Sequence, residues 1–188
     1  MANTTSSHAP LEGGCACGTL RYRLETTPLF VHCCHCTYCQ REEGTAFAIN
    51  AMIESSFLTL LTPTSPLIVD TPSESGLGQR IARCPKCFVA IWSYYGGMGP
   101  VVSFVRVGTL DDPNRSPPDI HIYTGTKQDW VILPQGVPAV EEYYDQNIYW
   151  PKESLARKES IRPQLQAYRR SLEERMRQVE QVIKDASS

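Results

Sequence analysis

GGCACGTLRYRLE, residues 13–25, is the stretch from which the fold of this chain is read. Its second half alternates. Leu20, Tyr22 and Leu24 fall on one side, and Thr19, Arg21 and Arg23 on the other. That period of two is the pattern of a half-buried strand. Its first half carries Cys15 and Cys17, and a second close pair recurs at Cys84-Pro-Lys-Cys87. A structural zinc takes four ligands in a tetrahedron, usually thiolates. Two short pairs on separate loops supply four, so Cys15, Cys17, Cys84 and Cys87 are predicted to hold one Zn²⁺. The pairs lie far apart in sequence, so the ion would fasten the first strand to a later sheet. Its binding would then be part of the folding free energy. The competing reading is a redox pair, which suits a CxxC that opens a helix. Here the strand-like AIWSYY (90–95) follows instead.

Outward from this stretch the chain reads as mainly β. PLFVHC (28–33), TAFAINAMI (45–53), FLTLL (57–61), RIARC (80–84), AIWSYY, VVSFVRVGTL (101–110), HIYTG (121–125) and WVIL (130–133) are the further strand candidates. Fourteen Pro and twelve Gly supply turns between them. Residues 62–78 read as a long loop, with LIV inside it as a short strand, and loops of that length are lids or disordered segments. Residues 1–12 are small and polar and are predicted to be disordered. Residues 13–150 form the predicted zinc-binding β domain, and 151–188 a C-terminal amphipathic helix. Ser160 is its candidate cap, with Pro163 in the first turn. Leu165, Tyr168, Leu172, Met176, Val179 and Ile183 then recur at helical spacing. The stripe extends over about 24 residues, on the order of 36 Å. An apolar stripe needs cover, either from the domain or from a second copy in a homodimer.

The remaining cysteines cluster in Cys33-Cys34-His35-Cys36-Thr-Tyr-Cys39. Three thiolates from Cys34, Cys36 and Cys39 leave a fourth position on Zn²⁺ for water or substrate, as in working sites. His32 and His35 compete for that fourth place. If either binds, the site is closed and structural. Cys33 is left over, because neighbours on an extended chain point to opposite sides.

The formal charge is −2, which argues against a nucleic-acid partner. The tail from 152 onward holds nine Lys/Arg against six Asp/Glu, too mild a bias to name a partner. MANTTSSHAP has neither the basic nor the apolar region of a secretory signal, and no run approaches about 18 apolar residues. A cytoplasmic protein with no membrane partner is the expectation. In that compartment eight cysteines are metal ligands rather than disulfides.

GGCACGTLRY (13–22), CHCTYCQREEGT (34–45), RCPKC (83–87), VGTLDDP (107–113) and HIYTGTKQDW (121–130), taken together in this order, resemble the glutathione-dependent formaldehyde-activating family, also named for its relative centromere protein V. The resemblance covers about residues 13–145 and leaves out the C-terminal helix. It implies a compact all-β fold of the Mss4-like type. It also implies a structural zinc on Cys15, Cys17, Cys84 and Cys87 and a catalytic zinc on Cys34, Cys36 and Cys39. The namesake activity joins glutathione and formaldehyde into S-hydroxymethylglutathione, formally a carbon–sulfur lyase in reverse. One position departs from the pattern. Where similar proteins have Gly after the CxxC, this chain has Phe88, at a place that calls for a positive φ.

Three thiolates on Zn²⁺ make a weak Lewis acid, suited to holding a further thiol or modestly polarising a carbonyl. The expected substrates are a small-molecule thiol, glutathione above all, or a carbonyl. His35 or His32 is the local proton carrier, against the alternative that both support structure. Arg21, Arg23, Arg41 and Arg106 are the candidate partners for glutathione's carboxylates, against the alternative of plain surface charges. Trp92, Tyr94 and Tyr95 are candidate pocket walls or core. Asp111 and Asp112 shape the turn before Pro113. Two other functions compete: the same open zinc acting on an intermediate of specialised metabolism, and a non-catalytic zinc scaffold.

Overall fold

The computed structural model describes residues 9–186. In chain order the strands are β1 (Leu11–Gly14), β2 (Arg21–Leu24), β3 (Phe30–Cys34), β4 (Ala48–Glu54), β5 (Leu58–Leu60), β6 (Leu67–Thr71), β7 (Gln79–Arg83), β8 (Ala90–Tyr95), β9 (Val102–Arg106) and β10 (Ile120–Ile122). The helices are α1 (Thr37–Glu43), α2 (Gln146–Tyr149), α3 (Lys152–Ser160) and α4 (Arg162–Ala186). The fold is therefore mainly β with a long C-terminal helix, as the sequence predicts. The strands form a three-stranded sheet, β1-β2-β5, and a seven-stranded sheet, β10-β3-β4-β9-β8-β7-β6. β10 runs parallel to β3; the other neighbouring strands in both sheets are antiparallel.

Alternation along the strands decides what each face meets. Leu20, Tyr22 and Leu24 are fully buried, as the opening pattern predicts. They pack with Ala51, Ile53, Ile91 and Val105, so the small sheet covers one face of the large one. Fully burying a side chain of this size is worth about 1.5–3 kcal/mol. Next-door residues on the same strands point the other way. Phe30, Met52 and Phe104 pack with Ile120, Trp150 and Leu165, so the C-terminal segment covers the opposite face. β3 thus sends Val31 toward the small sheet and Phe30 and Cys34 toward the helices.

The chain differs from its sequence reading in four places. Order begins earlier than residue 13: Leu11 is buried, and Glu12 accepts two hydrogen bonds from Arg23. Residues 1–8 lie outside the described residues. WVIL forms no strand, since it finds no partner; Trp130 and Ile132 are exposed. The cysteine cluster opens into a helix, α1, that ends on Gly44 at φ 64. A left-handed C-cap of this kind favours glycine. Finally, the C-terminal helix is broken. Ser160 closes α3 instead of capping α4, and Ile161 leaves the helical region at φ −97, ψ 4. Pro163 explains the break: its ring lacks an N–H and clashes with the carbonyl four residues back, so it is tolerated only in a first turn.

Two contacts seat this C-terminal segment. Arg157 donates to Glu54 from Nε (3.0 Å) and Nη2 (2.6 Å), and from Nη1 to the Thr27 carbonyl. Tyr168 lies on Gly99, where a Cβ would stand 2.3 Å from the ring. The α4 stripe is split. Leu165 is buried against the domain, whereas Met176, Val179, Val182 and Ile183 are exposed. Among the described residues no helix is long and apolar enough to cross a membrane.

Candidate metal centres

The clasp predicted from the opening stretch assembles. The sulfurs of Cys15, Cys17, Cys84 and Cys87 all lie within 4.8 Å of one another. Cys15 and Cys17 are 3.5 Å apart, and Cys17 and Cys84 3.7 Å. A tetrahedron with Zn–S near 2.3 Å has an edge of about 3.8 Å, so the four thiols fit the ion without rearrangement. Backbone N–H groups already point at the sulfurs: Leu20 donates to Cys15 and Lys86 to Cys84. Hydrogen bonding with the Thr19 side chain and backbone draws the Cys17 thiol down to about 6, toward the thiolate that a metal requires. After the CxxC, Phe88 adopts φ 60 with its side chain largely exposed. The knuckle turn keeps the geometry that glycine favours. Its hydrogen bonds hold it there: Phe88 N donates to the Cys84 carbonyl and Cys84 N to that of Val89.

The second group also comes together. Cys34 ends β3, Cys36 caps α1, and Cys39 sits in the first turn of that helix, its backbone N–H donating to Cys36 Sγ at 3.4 Å. Strand end and helix start bring three buried sulfurs within 4.8 Å of one another. Packed this closely, the thiols titrate as a set. Cys36 ionises first, stabilised by hydrogen bonds from Cys34 and Cys39, and Cys34 is pushed up by the same bonds and by burial. The loop after β10 clamps the turn. Thr126 Oγ1 donates to the His35 carbonyl, as does Gln40 Nε2, and Gln128 Nε2 donates to Gln40 Oε1. The HIYTGTKQDW segment therefore serves to hold the cysteine turn.

The three sulfurs border a cavity of about 530 Å³. His32, Tyr95, Phe104 and the half-exposed Tyr143 line it, as do Ser73, Glu74, Lys158 and Arg169. The 62–78 segment, expected as a loop with LIV as a strand inside it, contributes β6 there and then this stretch of cavity wall. His32 is buried, shares a 2.5 Å hydrogen bond with Tyr144, and is lowered to about 3 by burial.

His35 corrects the sequence reading. With His32 it is one of two candidate proton carriers and possible fourth ligands beside Cys34, Cys36 and Cys39, but it does not line the cavity. It points with Cys33 to the other face, where Cys33 Sγ is 3.6 Å from His35 Nε2 and His121 Nδ1 is 2.9 Å from it. The outer nitrogens, His35 Nδ1 and His121 Nε2, have no hydrogen-bond partner among the described residues. A metal-bound imidazole normally donates its other N–H to an acceptor. The group therefore fits a neutral imidazole pair better than a third metal site, and burial together with His121 lowers His35 to about 4. The alternation that separates Cys33 from Cys34 is the signal that would have placed His35.

The expected arginines are also committed elsewhere. Arg21 pairs with Asp111, and Arg23 with Glu12. Arg41 lines a separate surface hollow. Arg106 is buried, with Nε 2.5 Å from Glu43 Oε1 in an ion pair and its Nη atoms on Asn50 and Ser93. Of the aromatic candidates, Tyr95 reaches the cavity, Trp92 is core, and Tyr94 lines another hollow. Asp112 shapes its turn as predicted, accepting from Asn114 N.

Fold and site define a cysteine-rich β protein with three clusters of metal-ligand type among the described residues, two of them made of cysteine alone. The family model described as glutathione-dependent formaldehyde-activating enzyme matches residues 10–126, and the chain belongs to that family. A relative from Halomonas elongata, named "Putative glutathione-dependent formaldehyde-activating enzyme", is 27% identical over 127 residues, covering 65% of this chain and 80% of the relative. A crystal structure of a Rhodobacter sphaeroides protein aligns at 20% identity with a TM-score of 0.41, covering 55% of this chain and 93% of that one.

Proposed function

We propose that this chain is a zinc-dependent enzyme of the carbon–sulfur lyase type, adding a thiol to a carbonyl or reversing that addition. Glutathione and formaldehyde, the pair in the family's name, are the reference substrates. The observation that carries the reading is the juxtaposition of Cys34, Cys36 and Cys39 with a cavity large enough for a small molecule. A closed clasp of four thiols at Cys15, Cys17, Cys84 and Cys87 fits a structural ion. Three thiols beside a cavity fit an ion with a position left for substrate.

When bound there, zinc would favour the thiolate form of an incoming thiol and polarise a carbonyl. The protein's own residues do the rest. In the addition, sulfur bonds to the carbonyl carbon and hydrogen ends on the oxygen. Cys34, Cys36 and Cys39 fix where that happens, with α1 and the Thr126 clamp holding their spacing. His32 orients. Its hydrogen bond to Tyr144 keeps this part of the wall in place. Tyr95, Phe104 and Tyr143 keep water off the reacting end.

Cys36→Ser tests the reading. The variant should keep its urea midpoint, lose one of two zincs by elemental analysis, and lose turnover of glutathione with formaldehyde. Full activity in that variant on every thiol–carbonyl pair the wild type accepts would rule the reading out.

A further inference from the structure

The C-terminal segment, beyond the family match that ends at residue 126, supplies part of the cavity wall. Resting on the reading of the Cys34/Cys36/Cys39 centre above, we propose that its substrate is an anionic molecule with an aromatic body. The ring lies against Tyr95, Phe104 and Tyr143, and the acid group is held by Lys158 and Arg169.

The aromatic lining argues for the ring. Tyr95 stands edge-on to Phe104 at 4.7 Å between centroids, and Tyr143 edge-on to His32 at 5.9 Å. Such walls offer faces and edges to a further ring, each pairing worth more than its buried area alone. Formaldehyde uses none of this surface, and glutathione has no ring to lay on it.

The two cations argue for the acid. Lys158 comes from α3 and Arg169 from α4, and both line the cavity. Their contacts are neutral. Lys158 Nζ donates to Gln146 Oε1 and sits 5.7 Å from the Trp150 ring, and Arg169 Nε donates to the Gly97 carbonyl at 3.3 Å. Among the described residues neither has a carboxylate within ion-pair distance. Burial, then the charges of Arg169 and Arg162, lower the Lys158 ammonium against the smaller opposing pull of Asp145 and Glu159. Two cations on one lining, neither held in an ion pair, leave a place for an acid group, and an ammonium beside a guanidinium suits a carboxylate or a phosphate. Glu74 is the one carboxylate residue of the described lining.

The test uses the full-length chain loaded with cobalt(II) in place of zinc, because thiol binding at a cobalt–thiolate centre changes its visible absorption. The probes are 4-mercaptobenzoate and 3-(4-mercaptophenyl)propanoate, each against its carboxamide, and glutathione. The acids should bind about tenfold or more tighter than their amides, the difference expected of a charge-assisted contact. Both acids should also bind tighter than glutathione. Lys158→Gln/Arg169→Gln should erase the acid preference, so that each acid binds no tighter than its amide, with an unchanged urea midpoint as the folding control. Equal binding of acid and amide by the wild type, or glutathione as the tightest ligand, overturns the inference while leaving the open centre intact. If no thiol alters the cobalt bands, the open-centre reading itself fails.

Discussion

Replacing Arg157 by Met should cost about 3–5 kcal/mol of stability, the toll of leaving a buried carboxylate without its partner. Glu54 lies on β4 with its side chain only 2% exposed, and Arg157 meets both its oxygens. The Arg157 side chain is itself 19% exposed, so water softens the loss only slightly. Its third bond, to the Thr27 carbonyl, goes as well. Against a total of about 5–15 kcal/mol this is a large fraction. With a urea slope near 2 kcal/mol per molar, the midpoint should fall by about 1.5–2.5 M. Trp150, stacked on Phe30 and packed beside this joint, makes tryptophan fluorescence a suitable probe. The second arm removes the charge too: Glu54→Leu/Arg157→Met should recover most of the loss, since an apolar pair needs no compensation. The reasoning is refuted if the single variant loses less than about 1 kcal/mol, as exposed pairs do, or if the double variant is no more stable than the single.

Cys84→Ser should leave the protein unfolded or chelator-insensitive and much less stable by circular dichroism, because the energy of a structural zinc, about 10–16 kcal/mol, rivals that of the whole fold; unchanged melting with and without chelator would argue against the clasp. Phe88→Gly should raise stability by about 0.5–1 kcal/mol in urea, the relief of a left-handed residue (about 1–2 kcal/mol) less the entropy of glycine (about 0.5–1 kcal/mol); a fall in the midpoint would show that Phe88 contributes contacts of its own. Arg21, first through its hydrogen bond, holds the Asp111 carboxyl below its ordinary 3.8. A depressed native value stabilises above 3.8 and stops doing so as pH falls through that native value. Asp111→Asn should therefore lower the urea midpoint at neutral pH, by no more than about 1 kcal/mol for so exposed a pair, and match the wild type in stronger acid; a difference that persists in acid would assign the effect elsewhere.

What the sequence made legible was whatever period or spacing carries by itself. Leu20, Tyr22 and Leu24 announced a strand face, and two cysteine pairs announced a clasp. The mismatch at Phe88 was legible too, since the position, not the residue, dictates the positive φ. WVIL misled because apolar residues make a strand only where a neighbouring strand is free to pair. α1 was hidden by its brevity and by cysteines at its start, although Gln40 to Glu43 followed by Gly44 reads as a short helix with its C-cap. His35 was placed by its neighbours in sequence rather than by its side of the chain. Lys158 and Arg169 lay outside every motif. Only the fold of the C-terminal segment back over the sheet carries them to a cavity bordered by Cys34, Cys36 and Cys39.

The clasp also has a consequence in time. Cys17 and Cys84 are 67 positions apart, and the hairpin that bears the first pair rests further on Thr109, Leu110 and Asp111. On a growing chain β1 and β2 have little to dock against until those later segments have been made. Contacts this distant make folding slow. In the interval Cys15 and Cys17 are an open dithiol, free to take up another soft metal or to oxidise. The yield of correctly assembled protein should thus depend on how well zinc and reducing conditions are maintained during synthesis, before the finished fold can protect its own ligands.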